Sequence, residues 1–239
     1  MKTAIVTDST AYLTPEEAAK HHITVVPVTI HWGENTYRDL IDISFTDFYD
    51  RLVSDPVQPT SSFPALGEME ETFKKLAAEG YDNVLCIVLS SGISSFVDNL
   101  RAFAEHFNTI KVVTYDSHIT CAGLRYMDLL AATMLEQGHD LDTVEKALEV
   151  MRDRMGVRFM VDDLAHLRRT GRLSGVSATI GGLLRVKPIL TIDIQGAGKI
   201  TAFAKERQAK KAFEHLKKDL GDAIDNVDYP VRVTVFDDD

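Results

Sequence analysis

Val84-Leu85-Cys86-Ile87-Val88-Leu89-Ser90-Ser91-Gly92-Ile93-Ser94-Ser95 decides the fold, because it joins an unbroken apolar run to a hydroxyl-rich turn. A continuous apolar run of this length is typical of a central parallel strand that is covered on both faces. Strand patterns also occur at residues 3–7 and 111–115, and helix patterns separate them. This alternation predicts an α/β lobe with an open, mostly parallel sheet flanked by helices. Its ligand sites are expected at the carboxyl ends of the strands.

The texture of the sequence changes after residue 155, so we expect two lobes, residues 1–155 and residues 156–239. The second is predicted to be an α+β lobe with a mixed or antiparallel sheet, because Gly196-Ala197-Gly198 marks a hairpin between two strand candidates. A last strand lies directly before the end of the sequence, so we expect the chain to be truncated within this lobe. The strand candidates are 157–161, 187–194, 199–204 and 231–236, and helices are predicted at 162–170, 175–185 and 206–221.

Composition narrows the function classes. The chain has 239 residues, of which 45% are hydrophobic and 26% charged, as in ordinary globular proteins. A net charge of −10 argues against binding to nucleic acid or to an anionic membrane surface. The sequence starts directly with a strand pattern, without a signal peptide or membrane-spanning segment, so a cytoplasmic protein is expected. Cys86 and Cys121 are then expected to be free thiols. No cluster has metal-ligand spacing, so no metal is expected.

Two hydroxyl-rich turns are the strongest candidates for a functional site. The first is Pro59-Thr60-Ser61-Ser62-Phe63-Pro64, and the second is the Ser90–Ser95 part of the stretch quoted above. Each follows an extended segment and precedes a helix, where backbone N–H groups have no helical partner. Such N–H groups and hydroxyls together bind a carboxylate or phosphate without a cationic side chain. The pair of turns predicts one anionic group held between them, although serines at such places also simply cap helices.

Ser94 is also a candidate nucleophile, because Gly92-Ile93-Ser94-Ser95-Phe96 partly matches the nucleophile elbow of serine hydrolases. The motif's final glycine is replaced by Phe96. A nucleophilic serine requires a base, and the nearest candidate is His118, close to Asp116. The alternative function is therefore a serine-dependent acyl hydrolase or transferase. An oxyanion hole and a carboxylate site use the same donors, so the position of a base decides between the two functions.

Basic residues concentrate between positions 152 and 187, where eight of them stand against three aspartates in an otherwise acidic chain. The densest part is Arg168-Arg169-Thr170-Gly171-Arg172. It is either a solvated helix end, where cations are favourable, or a docking surface for an acidic or phosphate-bearing partner. No aromatic residue stands among Arg168, Arg169 and Arg172, which disfavours nucleic acid. The eight residues are Arg152, Arg154, Arg158, Arg168, Arg169, Arg172, Arg185 and Lys187.

Seven motifs follow one another along nearly the whole chain. They are Val6-Thr7-Asp8-Ser9-Thr10, Pro59-Thr60-Ser61-Ser62-Phe63-Pro64, Leu89-Ser90-Ser91-Gly92-Ile93-Ser94, Tyr115-Asp116-Ser117, Val161-Asp162-Asp163-Leu164, Arg169-Thr170-Gly171-Arg172-Leu173-Ser174-Gly175 and Leu183-Leu184-Arg185-Val186-Lys187-Pro188-Ile189-Leu190. In this order they resemble the DegV family of bacterial fatty-acid-binding proteins. The resemblance implies a two-lobed, lipid-binding fold that holds one long-chain fatty acid with its acyl chain in an apolar tunnel.

The resemblance also implies roles for particular residues. The fatty-acid carboxylate would be bound by the hydroxyls of Ser61 and Ser94. Around these two hydroxyls would lie Thr60, Ser62, Ser91 and Gly92.

The same resemblance implies a carrier role, without catalysis and without a cofactor of its own. The chain would present its fatty acid to a separate ATP-dependent kinase subunit, which makes acyl-phosphate for phospholipid metabolism. Arg168, Arg169 and Arg172 would then dock the kinase or the acyl-phosphate that it makes.

The sequence departs from the family pattern in three places. The first turn reads T-S-S-F-P where many members read T-T-S-Q-P, so Ser61 and Phe63 replace a threonine and a glutamine. Ser95-Phe96 replaces a Gly-Thr or Gly-Ser pair, a change expected to alter the mouth of the tunnel. The family's carboxyl-terminal histidine and glycine-rich segment are absent, so part of the carboxylate site is expected to be missing.

Overall fold

The structure is a computed structural model that describes residues 1–161, 164–173 and 187–235. The chain divides into two compact units, Met1–Met155 and Gly156–Asp239. The strands of the first unit are β1 (Thr3–Asp8), β2 (Ile23–Val26), β3 (Thr29–Trp32), β4 (Asn35–Arg38), β5 (Thr60–Ser62), β6 (Asn83–Val88) and β7 (Lys111–Asp116). Its helices are α1 (Pro15–Lys20), α2 (Phe45–Ser54), α3 (Leu66–Ala78), α4 (Phe96–Ala104), α5 (Cys121–Glu136) and α6 (Leu141–Asp153).

A four-stranded parallel sheet forms the centre of the first unit. Its strand order is β2-β1-β6-β7, and every pair is parallel. All residues of β6 are buried, as its apolar run predicts, because helices pack on both faces of the sheet. From β1 the chain first builds β2 on one side and later β6 on the other. The strand order therefore reverses between the carboxyl ends of β1 and β6. The predicted α/β architecture is confirmed.

A second, antiparallel sheet in this unit has the order β4-β3-β5. A tight turn with Gly33 at a φ of 63° joins β3 to β4. Residues 60–62, which were predicted to form part of a turn, instead form the edge strand β5, paired with β3. That prediction was wrong because the pairing partner lies far earlier in the chain and leaves no local pattern. On the face of this sheet that carries Ile30, Trp32 packs against Phe48 of α2.

Helix starts in the first unit follow their local sequence. Thr14 and Glu17 form a reciprocal capping box at the start of α1. The side chains of Ser44 and Asp140 accept hydrogen bonds from the first turns of α2 and α6. Gly138 follows the end of α5 with a φ of 85°. This left-handed conformation commonly ends a helix and favours glycine.

The second unit contains β8 (Phe159–Met160), α7 (Ala165–Arg169), β9 (Lys187–Ile192), β10 (Ile200–Glu206) and α8 (Ala209–Asp225). Its sheet is antiparallel in the order β10-β9-β8, and the predicted hairpin between β9 and β10 is confirmed. Residues 231–235 are exposed and form no strand, so the prediction of a strand there was wrong: these residues do not pair with a neighbouring strand. The predicted helix at 175–185 and residue 236 lie outside the described residues. Within the described ranges, no helix is both long and apolar enough to cross a bilayer.

Asp128 of α5 is a carboxyl group buried in the core of the first unit. It is fully inaccessible, and among the described residues neither of its oxygens has a partner in full hydrogen-bond geometry. Burial raises its pKa well above the ordinary value, and the nearby charge of Asp8 adds to the rise. The Thr7 side chain nearby lowers the pKa of Asp128 and partly opposes the effect of burial. Asp128 therefore favours its neutral form.

We expect Asp128→Asn to raise the free energy of unfolding at neutral pH. A carboxyl with a raised folded pKa stabilises the fold below its unfolded pKa, and this contribution is lost as the pH rises through the folded pKa. The stability of the parent should therefore fall between about pH 5 and about pH 8, and that of the variant should fall less. Denaturant unfolding at both pH values measures this, with the exposed Asp98→Asn as control. The same pH dependence in parent and Asp128→Asn would contradict the prediction.

Candidate functional site

Asp8, at the end of β1, accepts hydrogen bonds from two loops at the carboxyl edge of the parallel sheet. This side chain is fully buried. Its Oδ2 accepts a hydrogen bond from the Leu89 N–H at 2.8 Å, and its Oδ1 accepts from the N–H and hydroxyl of Thr10 at 2.9 and 2.6 Å. Burial raises the pKa of Asp8, and these hydrogen bonds oppose the rise. Asp8 therefore ties the loop after β1 to the loop after β6 and forms a local Asx turn.

The second hydroxyl turn, residues 90–95, directs backbone N–H groups toward the protein. The Ser91 N–H donates to Asp116 Oδ1, and the Gly92 N–H donates to Ser90 Oγ, each at 3.1 Å. The next two N–H groups both donate to the Ser90 carbonyl at 3.0 Å. The expectation that this turn offers free N–H groups to an anion is therefore wrong for these four residues. Side chains and a carbonyl within the protein supply their acceptors instead.

Ser94 keeps a hydroxyl proton that it can donate to a ligand. Its Oγ accepts a hydrogen bond from the Phe96 N–H at 3.2 Å, at the start of α4. A serine hydroxyl can accept and still donate its single proton. Ser95, the residue at the cap position of α4, makes no side-chain cap hydrogen bond. Ser94 therefore caps the helix in its place, and this capping is compatible with binding an anion.

The first hydroxyl segment, β5, is exposed along its whole length. Because side chains alternate across a strand, neighbouring residues of β5 face opposite sides of the sheet. Ser62 lies opposite Thr29 and Ser61 lies opposite Ile30 in the pairing with β3. Ser61 therefore shares a face with Ile30, and Thr60 shares the other face with Ser62. The strand's pleat separates the hydroxyls that the sequence grouped together.

His31 is a neighbour of this segment that sequence reasoning missed. Its Nε2 lies 2.9 Å from Ser62 Oγ. In the strand register it lies opposite Thr60, on the same face. The available signal was the alternation of β3, in which an exposed His31 stands between buried Ile30 and Trp32.

Two phenyl rings bring the hydroxyl segments together. Phe63 directly follows β5, and Phe96 is the first residue of α4. Their ring centroids are 5.7 Å apart and their planes differ by 6°, which is a stacked arrangement. Phe96 is fully buried and Phe63 is half-buried. The structure thus joins the two segments, as the prediction of a shared site requires.

His118 is placed by Asp116, which also binds the second hydroxyl turn. Its backbone N–H donates to Asp116 Oδ1 at 3.2 Å, and its ring Nε2 lies 3.5 Å from Oδ2. Its φ of 54° is unusual for a residue with a side chain. Within the described residues, Ser94 Oγ bonds to the Phe96 N–H and not to the His118 ring. A catalytic pair requires a base within about 2.6–3.2 Å of the serine oxygen.

Both cysteines are free, as predicted, and burial raises the pKa of each thiol. A raised pKa keeps a thiol protonated and unreactive near neutral pH. Across the ranges that the structure describes, no group of three His, Cys, Asp or Glu side chains is arranged to hold a metal ion.

Arg168, Arg169 and Arg172 lie at and after the carboxyl-terminal end of the short helix α7. Arg168 and Arg169 are exposed, and an Arg169 guanidinium nitrogen lies 3.0 Å from His166 Nδ1. Arg172 is half-buried, and its guanidinium donates to the Thr170 carbonyl at 2.6 Å. This position fits the helix-end interpretation, and it leaves Arg168 and Arg169 as the more accessible cations.

Comparison with known proteins identifies the family. Residues 2–236 match the family model named DegV, which describes an uncharacterised protein of that family. The chain is 38% identical to the protein DegV of Bacillus subtilis over 237 residues, which are 99% of this chain and 83% of that protein. The chain belongs to the DegV family.

Solved structures of DegV proteins share this fold. DegV from Bacillus subtilis, described as a fatty acid binding protein, superposes with a TM-score of 0.86 at 38% identity, covering 94% of this chain and 79% of that one. A fatty acid binding DegV family protein from Streptococcus agalactiae superposes with a TM-score of 0.85 at 30% identity, covering 95% and 79%. The family resemblance inferred from the seven motifs is confirmed.

Proposed function

We propose that this chain binds one long-chain fatty acid and acts as a carrier without catalysis of its own. The observation that supports this most is the shared fold with DegV proteins described as fatty acid binding, at 30% and 38% identity. The chain also has the two hydroxyl segments of the family, linked by a ring contact. No metal or cofactor has a part in this function.

The carboxylate is bound by the hydroxyls of Ser61 and Ser94. Each hydroxyl donates one charge-assisted hydrogen bond to the anion. For Ser94 the geometry is favourable, because the Phe96 N–H occupies one acceptor position and leaves the proton for the ligand. Thr60, Ser62, Ser91 and Gly92 are proposed as neighbours of this pair; Thr60 and Ser62 lie on the other face of β5, and the Ser91 and Gly92 N–H groups donate within the protein.

The acyl chain supplies most of the affinity. Each CH₂ group removed from water contributes about 0.8 kcal/mol, so a sixteen-carbon tail contributes roughly 10 kcal/mol before the costs of binding. The acyl chain of the fatty acid lies in an apolar tunnel. The hydroxyls then set which end of the fatty acid binds where, and the tunnel sets how tightly it binds.

Removing either hydroxyl should weaken fatty-acid binding. Ser61→Ala and Ser94→Ala are each expected to cost about 1.5–3 kcal/mol, because a charged acceptor loses one hydrogen bond. Titration with a fluorescent fatty acid measures this, and Ser54→Ala, at the end of α2, is the control. Ser62→Ala should cost less, since Ser62 lies on the other face of β5. If both Ser61→Ala and Ser94→Ala bind as tightly as the parent, the carboxylate is held elsewhere.

The alternative function, a serine-dependent acyl hydrolase, is favoured by one observation: His31 Nε2 lies within hydrogen-bond distance of Ser62 Oγ. We nevertheless expect no hydrolysis of a nitrophenyl acyl ester above the rate in buffer. The imidazole is exposed to water, and Phe96 occupies the position of the elbow glycine that a Ser94 nucleophile requires. Hydrolysis that disappears in Ser94→Ala or in Ser62→Ala would replace the carrier with an enzyme.

The bound fatty acid is presented to an ATP-dependent fatty acid kinase subunit, which converts it to acyl-phosphate in the bacterial cytoplasm. This step is proposed from the family resemblance. Arg168, Arg169 and Arg172 form the docking surface, because they concentrate positive charge at one helix end of an acidic chain.

Arg169→Glu should lower kinase turnover several-fold and leave fatty-acid affinity unchanged. Exposed rim charges mainly set the association rate, and salt screens them. Turnover is measured at low carrier concentration over a series of salt concentrations, and Lys210→Glu is a control with the same charge change on α8. Full turnover with Arg169→Glu would assign the arginines to a solvated helix end. A loss of fatty-acid binding would place Arg169 in the carboxylate site instead.

A further inference from the structure

The two hydroxyl segments belong to different sheets. The first is the edge strand β5 of the antiparallel sheet, and the second follows β6 of the parallel sheet. The ladder pairing of β5 is with β3, so no ladder between the two segments sets their separation. A carboxylate that must contact both segments requires that separation to be right to within a fraction of an ångström.

The ring contact between Phe63 and Phe96 spans this gap. Its centroid distance is 5.7 Å, and the planes are nearly parallel. Phe63 comes directly after Ser62. Phe96 donates its backbone N–H to Ser94 Oγ. Each ring therefore belongs to a residue whose backbone position also governs a hydroxyl of the proposed site.

The two rings differ in how firmly they are held. Phe96 is fully buried together with Val97 and Leu100, so the α4 side of the contact is anchored in the core. β5 is a three-residue strand that is exposed and is paired on one side. Short, exposed, singly paired strands have little local stability of their own. The half-buried Phe63 adds an anchor toward α4 to those that β5 has in its pairing with β3 and in the buried Pro59 and Pro64.

We propose that Phe63 and Phe96 form a positioning element of the carboxylate site, which holds the two hydroxyl segments at the separation that one carboxylate bridges. The inference rests on the proposed fatty-acid binding.

Head-group discrimination tests this proposal. Lauric acid and dodecanol both have twelve carbon atoms in one linear chain, and only the acid has a carboxylate. Competition of each against a fluorescent fatty acid gives both affinities for the parent and for each variant. Phe63→Leu keeps an apolar side chain but removes the ring. It should weaken lauric acid binding by about 3- to 10-fold and change dodecanol binding by less than about 2-fold.

A conservative variant and a matched control complete the set. Phe63→Tyr keeps the ring and should keep the affinity of the parent for lauric acid. Phe107→Leu removes a half-buried ring of similar exposure, which stacks on Phe103 at 5.1 Å in another part of the first unit. It should leave the ratio of the two affinities unchanged, although it removes a ring in the same way.

A double variant tests whether the two rings act through their contact with each other. Phe63→Leu and Phe96→Leu remove the same contact, so together they should weaken lauric acid binding no more than the stronger single variant does. Phe96 is fully buried, and its variants are first checked by thermal unfolding. If Phe96→Leu does not fold, Phe63→Leu with Phe63→Tyr still decides the question.

Three results would overturn the inference, and they differ in what else they affect. If Phe63→Leu weakens lauric acid and dodecanol equally, the ring lines the acyl chain and does not position the head group. If Phe63→Leu changes neither affinity, the stack has no part in binding. If the parent itself binds lauric acid no better than dodecanol, the carboxylate site and with it the proposed function fail, whatever the variants do.

Discussion

The hydrogen bond from the Leu89 N–H to the buried Asp8 carboxylate is the contact on which the candidate site depends. It joins the ends of β1 and β6 at 2.8 Å, where the strand order reverses and parallel sheets leave a crevice for ligands. The same carboxylate closes the turn over Thr10. Because Asp8 is fully buried and has three donors, the loops on both sides of the crevice share one fixed point. The second hydroxyl turn starts directly after it.

A second carboxylate decides what kind of anion site this crevice can form. Asp116 accepts the N–H groups of Ser91 and His118, and Ser90 accepts those of the three residues that follow Ser91. These N–H groups therefore donate to acceptors within the protein, and the turn does not form a backbone nest for an anion. In the proposed function, the hydroxyls of Ser61 and Ser94 supply the donors instead. A site of this kind has no formal positive charge, so it orients a carboxylate while the apolar part of a ligand supplies the affinity.

The two sides of the proposed site are built differently. The side with Ser94 directly precedes α4, whose first residues are buried in the core. The other side is an exposed edge strand, whose pleat turns Ser61 and Ser62 to opposite faces. Backbone pairing with β3 places this strand in its own sheet, and a stacked ring relates it to the parallel sheet. The proposed carboxylate site would thus combine a half anchored in the core with a half on an edge strand, which the stacked ring contact relates to the parallel sheet.

The sequence by itself determined the parallel sheet, the helix caps, the β9–β10 hairpin and the family. Apolar runs, cap residues and turn glycines act over a few neighbouring positions, so their consequences can be predicted locally. Tertiary structure alone decided that Thr60–Ser62 is a strand, that the N–H groups after Ser90 point inward, and that Phe63 stacks on Phe96. Asp116 lies 25 positions from Ser91, and Asp8 lies 81 positions from Leu89. No periodicity encodes such partners, because a hydrogen bond or ring contact between distant residues exists only after the sheets have packed.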